Sequence, residues 1–272
     1  MLQQLFNNIP PVTKNLLFIN VLMFVASLMF PDIWAKMALY YPASPNFEPW
    51  QFATHFFMHS IHGIGHIFFN MFALIMFGSQ LERIWGPKKY LTFYFICAIG
   101  ASMLHLGYDM YIFNSMKTYI AENIGALSGE AYYNYFDKFI GVKFLNPGFV
   151  EHVEFINEMG SELITDSTVL KQLEENMLGL IELRQNVPMV GASGAIFGLL
   201  MGFGLLFPNT ELMLLFFPVP IKAKFFIPAL MFLELFLGIQ GGSNIAHFAH
   251  LGGALAGFVM IQIWKRNRTS LY

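Results

Sequence analysis

The chain has 272 residues, with 15 Lys and Arg against 17 Asp and Glu, 56% hydrophobic, 17% aromatic and only 12% charged side chains, and a mean hydropathy of +0.54. Half the charge of an ordinary soluble domain excludes a cytosolic globule and a disordered chain, and a net charge of -2 leaves no basic field for nucleic acid. The single cysteine, Cys97, excludes an intrachain disulfide and a cysteine-based zinc site.

In chain order, the stretches free of Asp, Glu, Lys and Arg are 15-31, 49-81, 90-108, 185-210, 225-233 and 235-264. Trimmed to the ~20 apolar residues that a bilayer requires, they predict helices near 12-30, 63-81, 90-110, 189-207, 223-240 and 246-264, six crossings in all. The first run follows a segment whose only basic residue is Lys14, with no small-residue cleavage site behind it. It is therefore expected to stay as a helix rather than leave as a signal peptide. Pro31, the Pro42 to Pro49 stretch, Gly86-Pro87, Pro208-Asn209, Pro218-Val219-Pro220 and Gly241-Gly242 punctuate the runs.

An inside N-terminus puts Lys14, Arg83, Lys88, Lys89, Lys222, Lys224, Lys265, Arg266 and Arg268 on the cytoplasmic side and only Lys36 in a short outer loop. Both termini are thus expected in the cytoplasm. Trp34, Tyr40, Tyr41 and Trp50 outside, with Trp85 and Trp264 inside, fit the aromatic belts of a bilayer. Segment 111-187 departs from this pattern, with 11 acidic and 5 basic residues. Apolar residues recur at helical spacing in 149-165 and 168-184, as in Val169, Leu170, Leu173, Met177, Leu180 and Ile181. The expected organisation is all-α: helices one to three in 1-110, a helical extramembrane insertion in 111-187, and helices four to six in 188-272.

Polar side chains inside a bilayer need partners and mark functional sites. The second helix carries His66 and Asn70 on one face, with His55, His59 and His62 leading into it. The fourth opens with Gly191-Ala192-Ser193-Gly194-Ala195, and the sixth with His247 and His250. All three helices run outside to inside, so the three clusters share a depth of roughly 10 Å. Gly194 and Gly198, and Gly253 and Gly257, are spaced to let helices four and six approach closely, within hydrogen-bond reach of a serine on one and a histidine on the other.

Gly191-Ala192-Ser193-Gly194, Ala249-His250-Leu251-Gly252-Gly253 and His66-Ile67-Phe68-Phe69-Asn70 together resemble the signature of the rhomboid intramembrane serine proteases. Glu82, Gly86 and the Pro218 to Lys224 stretch extend the likeness over nearly the whole chain outside 111-187. The resemblance implies a six-helix bundle in which Ser193 is the nucleophile, His250 the general base, and His66 and Asn70 the oxyanion donors together with the Ser193 N–H. It implies membrane-protein substrates cleaved within or beside their transmembrane segments, in a site opening to the outer face, with no metal, no cofactor and no nucleic acid. The glycine-rich stretch 238-244 is the expected lid and the fifth helix the expected lateral gate. Two departures stand out. Gln51 follows Trp50 where the family often has arginine, and 111-187 replaces a short loop and offers a surface for a protein partner.

Other readings compete for these residues. Ser193 could be a small packing residue, and His66 and Asn70 could simply satisfy each other or a backbone carbonyl. His247, one turn before His250, competes for the base role. His55, His59, His62 and His66 would line one face of a continuous helix and could recruit a metal, although no carboxylate but Glu48 lies near. Glu234, the lone carboxylate within the fifth helix, is either a hydrogen-bonded structural residue or, with the histidine stripe, a proton relay of a transporter, and the motifs supply no carboxylate to orient His250. A rhomboid-like protein that binds membrane clients without cutting them is the remaining alternative.

Overall fold

The computed structural model describes residues 8–141, 147–214, 217–240 and 246–266. Helix α1 (Pro11–Met29) begins on a proline and has no side-chain cap of its own. The buried Glu82 carboxylate supplies one from elsewhere in the chain, accepting from Val12 N–H at 2.9 Å, Thr13 N–H at 2.7 Å and Thr13 Oγ1 at 2.8 Å. An anion at a helix N-terminus meets free N–H donors and the positive end of the dipole. Glu82→Ala is expected to lower stability by about 2 to 3 kcal/mol, read as a drop in the melting temperature of the detergent-solubilised protein.

A short α2 (Pro31–Met37) leads into a loop that holds α3 (Gln51–Thr54) and a 3₁₀ turn, His55–Phe57. Gln51 is fully buried at the centre of this loop. Its Oε1 accepts from Tyr40 N–H at 3.2 Å, and its Nε2 donates to the carbonyls of Asn46 at 2.8 Å and Lys36 at 3.3 Å. The Gln51 amide thus ties this loop together.

Helix α4 (Gly65–Ala73) runs through a π turn, Leu74–Gly78, into α5 (Ser79–Asn123). The run is bent at Gly86, whose φ of 74° is open to glycine, and Pro87 then starts the second limb where its missing N–H costs nothing. That limb, 87–123, is about 55 Å long. It continues well past the end expected near residue 110, because its later turns bury Phe113, Met116 and Ile120 against protein instead of lipid. On these residues pack α6 (Gly129–Phe139), α7 (Pro147–Asn157) and α8 (Ser167–Gln185), with Tyr132, Tyr135, Phe136, Val153, Leu173 and Met177 in a second core. Tyr135 Oη donates to the Met177 carbonyl at 2.7 Å.

The chain then passes from Asn186 to α9 (Ser193–Leu206) in an extended stretch that pairs Met189 with Leu39. Helix α9 starts at residue 193, not near 189 as expected, since Gly191 at a φ of 118° cannot belong to a helix. A hairpin of β1 (Glu211–Leu214) and β2 (Phe217–Lys222) follows, with Glu211 opposite Lys222 and Leu212 opposite Ile221. This sheet corrects the all-helical expectation; Pro218 and Pro220 bar a helix there but are tolerated on an edge strand. Helices α10 (Ala223–Gln240) and α11 (His247–Arg266) complete the fold. Most of the expected lid, residues 241–244, lies outside the described residues.

The structure is mostly helical, and among the described residues four helices are long and apolar enough to cross a membrane: Pro11–Met29, the bent Gly65–Ala126, Ala223–Gln240 and His247–Arg266. Ser193–Leu206 is apolar but shorter. At the centre, α11 and α9 touch through glycine. A β-carbon on Gly253 would overlap the Gly194 carbonyl, and one on Gly257 would lie 2.9 Å from the Gly198 carbonyl. The opposite face of α11 meets α5, where a β-carbon on Gly252 would stand 2.5 Å from the Gly100 carbonyl.

Candidate active site

Close helix packing brings Ser193, the first residue of α9, against His250 in the first turn of α11, with Oγ 3.0 Å from Nε2. The other ring nitrogen, Nδ1, lies 2.8 Å from Oε2 of Glu234 on α10. An ionised carboxylate can only accept, so the Nδ1 carries the proton and Nε2 is left to accept from the serine hydroxyl. Phe197, one turn beyond Ser193, stacks on the imidazole with centroids 4.1 Å apart and planes 4° from parallel. The ring of His250 is thus held on its face by α9 and at its edge by α10.

His247 does not take the same place. Its Nδ1 lies 2.7 Å from the same Glu234 Oε2, so one carboxylate oxygen accepts from both imidazoles, and the His250 ring is the one whose far nitrogen meets Ser193. Glu234, His247 and His250 also form the group among the described residues whose donor atoms, all within 4.8 Å of one another, could grip a divalent cation. As found, both imidazoles converge on the single oxygen Oε2 of this carboxylate.

His66 stands on the other side of Ser193. A β-carbon on Gly191 would fall 3.2 Å from His66 Nε2 and 3.6 Å from Ser193 Oγ, so this glycine is the gap between the two side chains. The Ser60 N–H donates to His66 Nδ1 at 3.2 Å, which leaves the proton on Nε2, the nitrogen nearest Gly191. Asn70 is buried one turn further on, its amide donating to the His66 carbonyl at 2.8 Å. The Ser193 N–H is one of the unpaired donors at the start of α9. The Ser193 hydroxyl, the His250 ring and the Nε2 edge of His66 therefore lie together, beside a cavity of about 10 Å³ lined by His55, Gly191, Ser193 and Ala249 among others, room for about one water, while the Asn70 amide is spent on the His66 carbonyl.

The histidine stripe is not a stripe. The chain leaves helical geometry between Met58 and Ile64, which turns these rings to different partners. His55 is buried, bonds the Gln51 carbonyl through Nδ1 and Ser102 Oγ through Nε2 at 2.9 Å, and burial pushes its imidazole down to about 4. His59 packs against His66 with ring centroids 5.2 Å apart. Sequence reasoning missed Phe197, although its position one turn from Ser193 placed it on the same helical face.

The Rhomboid domain family matches residues 46–133 and 152–267, leaving out 134–151 in the middle of the stretch expected to be an insertion. A curated relative, the Rhomboid-like protease 3 of Toxoplasma gondii, is 35% identical over 69 residues, 25% of this chain and 26% of the relative. The chain thus aligns with only about a quarter of that protein's length. Matched over well more than half its residues, with apolar helices long enough to span a bilayer, the chain is an integral membrane protein and belongs to the rhomboid family.

Proposed function

We propose that the protein is an intramembrane serine endopeptidase that cuts transmembrane or juxtamembrane segments of other membrane proteins. The observation that carries this reading is the 3.0 Å contact between Ser193 Oγ and His250 Nε2, formed between two apolar helices of a rhomboid-family chain. His250 takes the hydroxyl proton as Oγ attacks the peptide carbonyl. It then gives that proton to the leaving amine, and later activates the water that releases the acyl group. The Ser193 N–H, Asn70 and the Nε2–H of His66 receive the developing oxyanion.

In this reading the bent Gly65–Ala126 run crosses twice and Ser193–Leu206 once, which makes six crossings with both termini cytoplasmic and the site facing the outer side. Segment 111-187 then stands over the site as the insertion, tied to the first outer loop by Ser44 Oγ donating to Asn186 Oδ1 at 2.7 Å, and offers a surface to substrate ectodomains or a protein partner.

The deciding experiment reconstitutes the pure protein with a transmembrane substrate and treats it with a serine-reactive phosphonate. Cleavage, blocked by a covalent adduct on Ser193, is the expected result. Client binding with neither cleavage nor adduct would mark a non-proteolytic member of the family. Asn70→Ala is expected to lower kcat by about 10- to 1000-fold with a smaller change in KM, since an oxyanion donor acts mainly in the transition state; a change in KM alone would make Asn70 a substrate contact.

A further inference from the structure

We propose that Glu234 is a positioning residue for His250, which makes the site a Ser193, His250 and Glu234 relay assembled from three helices, with its third member on α10. This inference rests on the protease reading above. Its starting point is a carboxylate set among Phe232, Leu233, Leu235 and Phe236, all of them exposed, on a helix apolar enough to span a membrane. A carboxylate in such a segment persists only when hydrogen-bonded and paired. Glu234 is itself buried, and among the described residues both donors to its Oε2 are imidazoles of α11.

The geometry distinguishes orientation from simple satisfaction. His247 alone, at 2.7 Å and on the same helix, would give the carboxylate a donor. The second contact goes to the ring that touches Ser193, and it goes to the nitrogen opposite the one facing the hydroxyl. A carboxylate there selects the tautomer in which Nε2 is unprotonated, and it faces the positive charge that the ring acquires on taking the serine proton. The proton balance is complete without Glu234 taking part. The proton leaves Oγ as the Oγ–C bond forms, rides on Nε2, and passes to the amine nitrogen as the C–N bond breaks. Glu234 stays ionised throughout, and His247 holds its carboxylate in place while His250 changes charge.

The test measures kcat and KM of Glu234→Gln, Glu234→Asp and His247→Ala, with Glu234→Gln repeated on a His250→Ala background. Glu234→Gln is expected to lower kcat by roughly 100- to 10,000-fold at little change in KM. Glu234→Asp should recover part of the loss, His247→Ala should cost less than Glu234→Gln, and Glu234→Gln should cost nothing further once His250 is gone. Equal losses on both backgrounds, or kcat within about threefold of wild type, would overturn the proposal. Should the Gln variant not fold, the folded wild type still decides. Its nitrogen-15 histidine spectrum should carry two low-field Nδ1–H signals, one lost in His247→Ala and the other in His250→Ala, and a wild type in which no such signal is lost with His250→Ala rejects the contact. Inactive Ser193→Ala and His250→Ala beside a fully active Glu234→Gln would reject this inference alone, whereas cleavage by Ser193→Ala would remove the protease reading and this inference with it.

Discussion

Ser193→Ala and His250→Ala should each abolish cleavage of a reconstituted transmembrane substrate, by roughly 10,000-fold or more, while the protein still folds and inserts. The two side chains share one hydrogen bond of 3.0 Å and one proton. Removing either leaves the other without a function in the chemistry, so the double variant should be no worse than either single one. His247→Ala should keep most of the activity, because that ring meets the Glu234 carboxylate and the proposed base is the ring that meets Ser193. Full activity of His250→Ala with loss in His247→Ala would reverse the assignment. Circular dichroism and melting temperature, measured on each variant, separate loss of chemistry from loss of fold.

Gly253→Val should be nearly as damaging although residue 253 touches no substrate. A β-carbon there would run into the Gly194 carbonyl, a backbone atom one residue from the proposed nucleophile, and backbone cannot swing aside as a side chain can. Helices α9 and α11 would have to separate by something on the order of an ångström or more, and a misplacement of that size costs roughly 100-fold in rate. The expected result is at least a 100-fold fall in kcat together with a lower melting temperature. Gly179→Ala is the control, since a β-carbon at that position meets nothing within 4 Å. Unchanged activity in Gly253→Val would mean that the contact between α9 and α11 is looser than described.

Much of this was legible in the sequence because a bilayer writes in a simple code. Charge-free runs locate the helices that face lipid, and small residues spaced by four locate the faces that touch. Ser193, His250, His66 and Asn70 stood out as polar groups at a shared depth; the structure sets Ser193 against His250 and, across Gly191, beside His66, while Asn70 bonds the His66 carbonyl of its own helix. The far half of α5 was not legible by that code. Phe113, Met116 and Ile120 face a protein core in a stretch interrupted by Lys117 and Glu122, and hydropathy cannot tell such a helix from a loop. The edge strands at 211–222 escaped because prolines signal only where a helix stops. The role of Glu234 was hidden for another reason. The carboxylate was conspicuous, but its partners lie 13 and 16 residues away across a helix boundary, a pairing that no periodicity encodes.

Gly86 carries a mechanical consequence. Because the chain bends at one glycine instead of passing through a loop, the limb that bears His66 and Asn70 is joined directly to the limb whose Gly100 and Ala101 brace α11 and α9. Glu82, four residues before the bend, clamps α1 to the same piece. In the protease reading the compliance needed to admit a polypeptide falls to α10, the least enclosed of the described helices long and apolar enough to span, with 22% of its most apolar window buried. That helix carries Glu234, so displacing it to make room also withdraws the carboxylate from His250. Entry and chemistry would then alternate, and a substrate becomes cleavable only after α10 has settled back behind it.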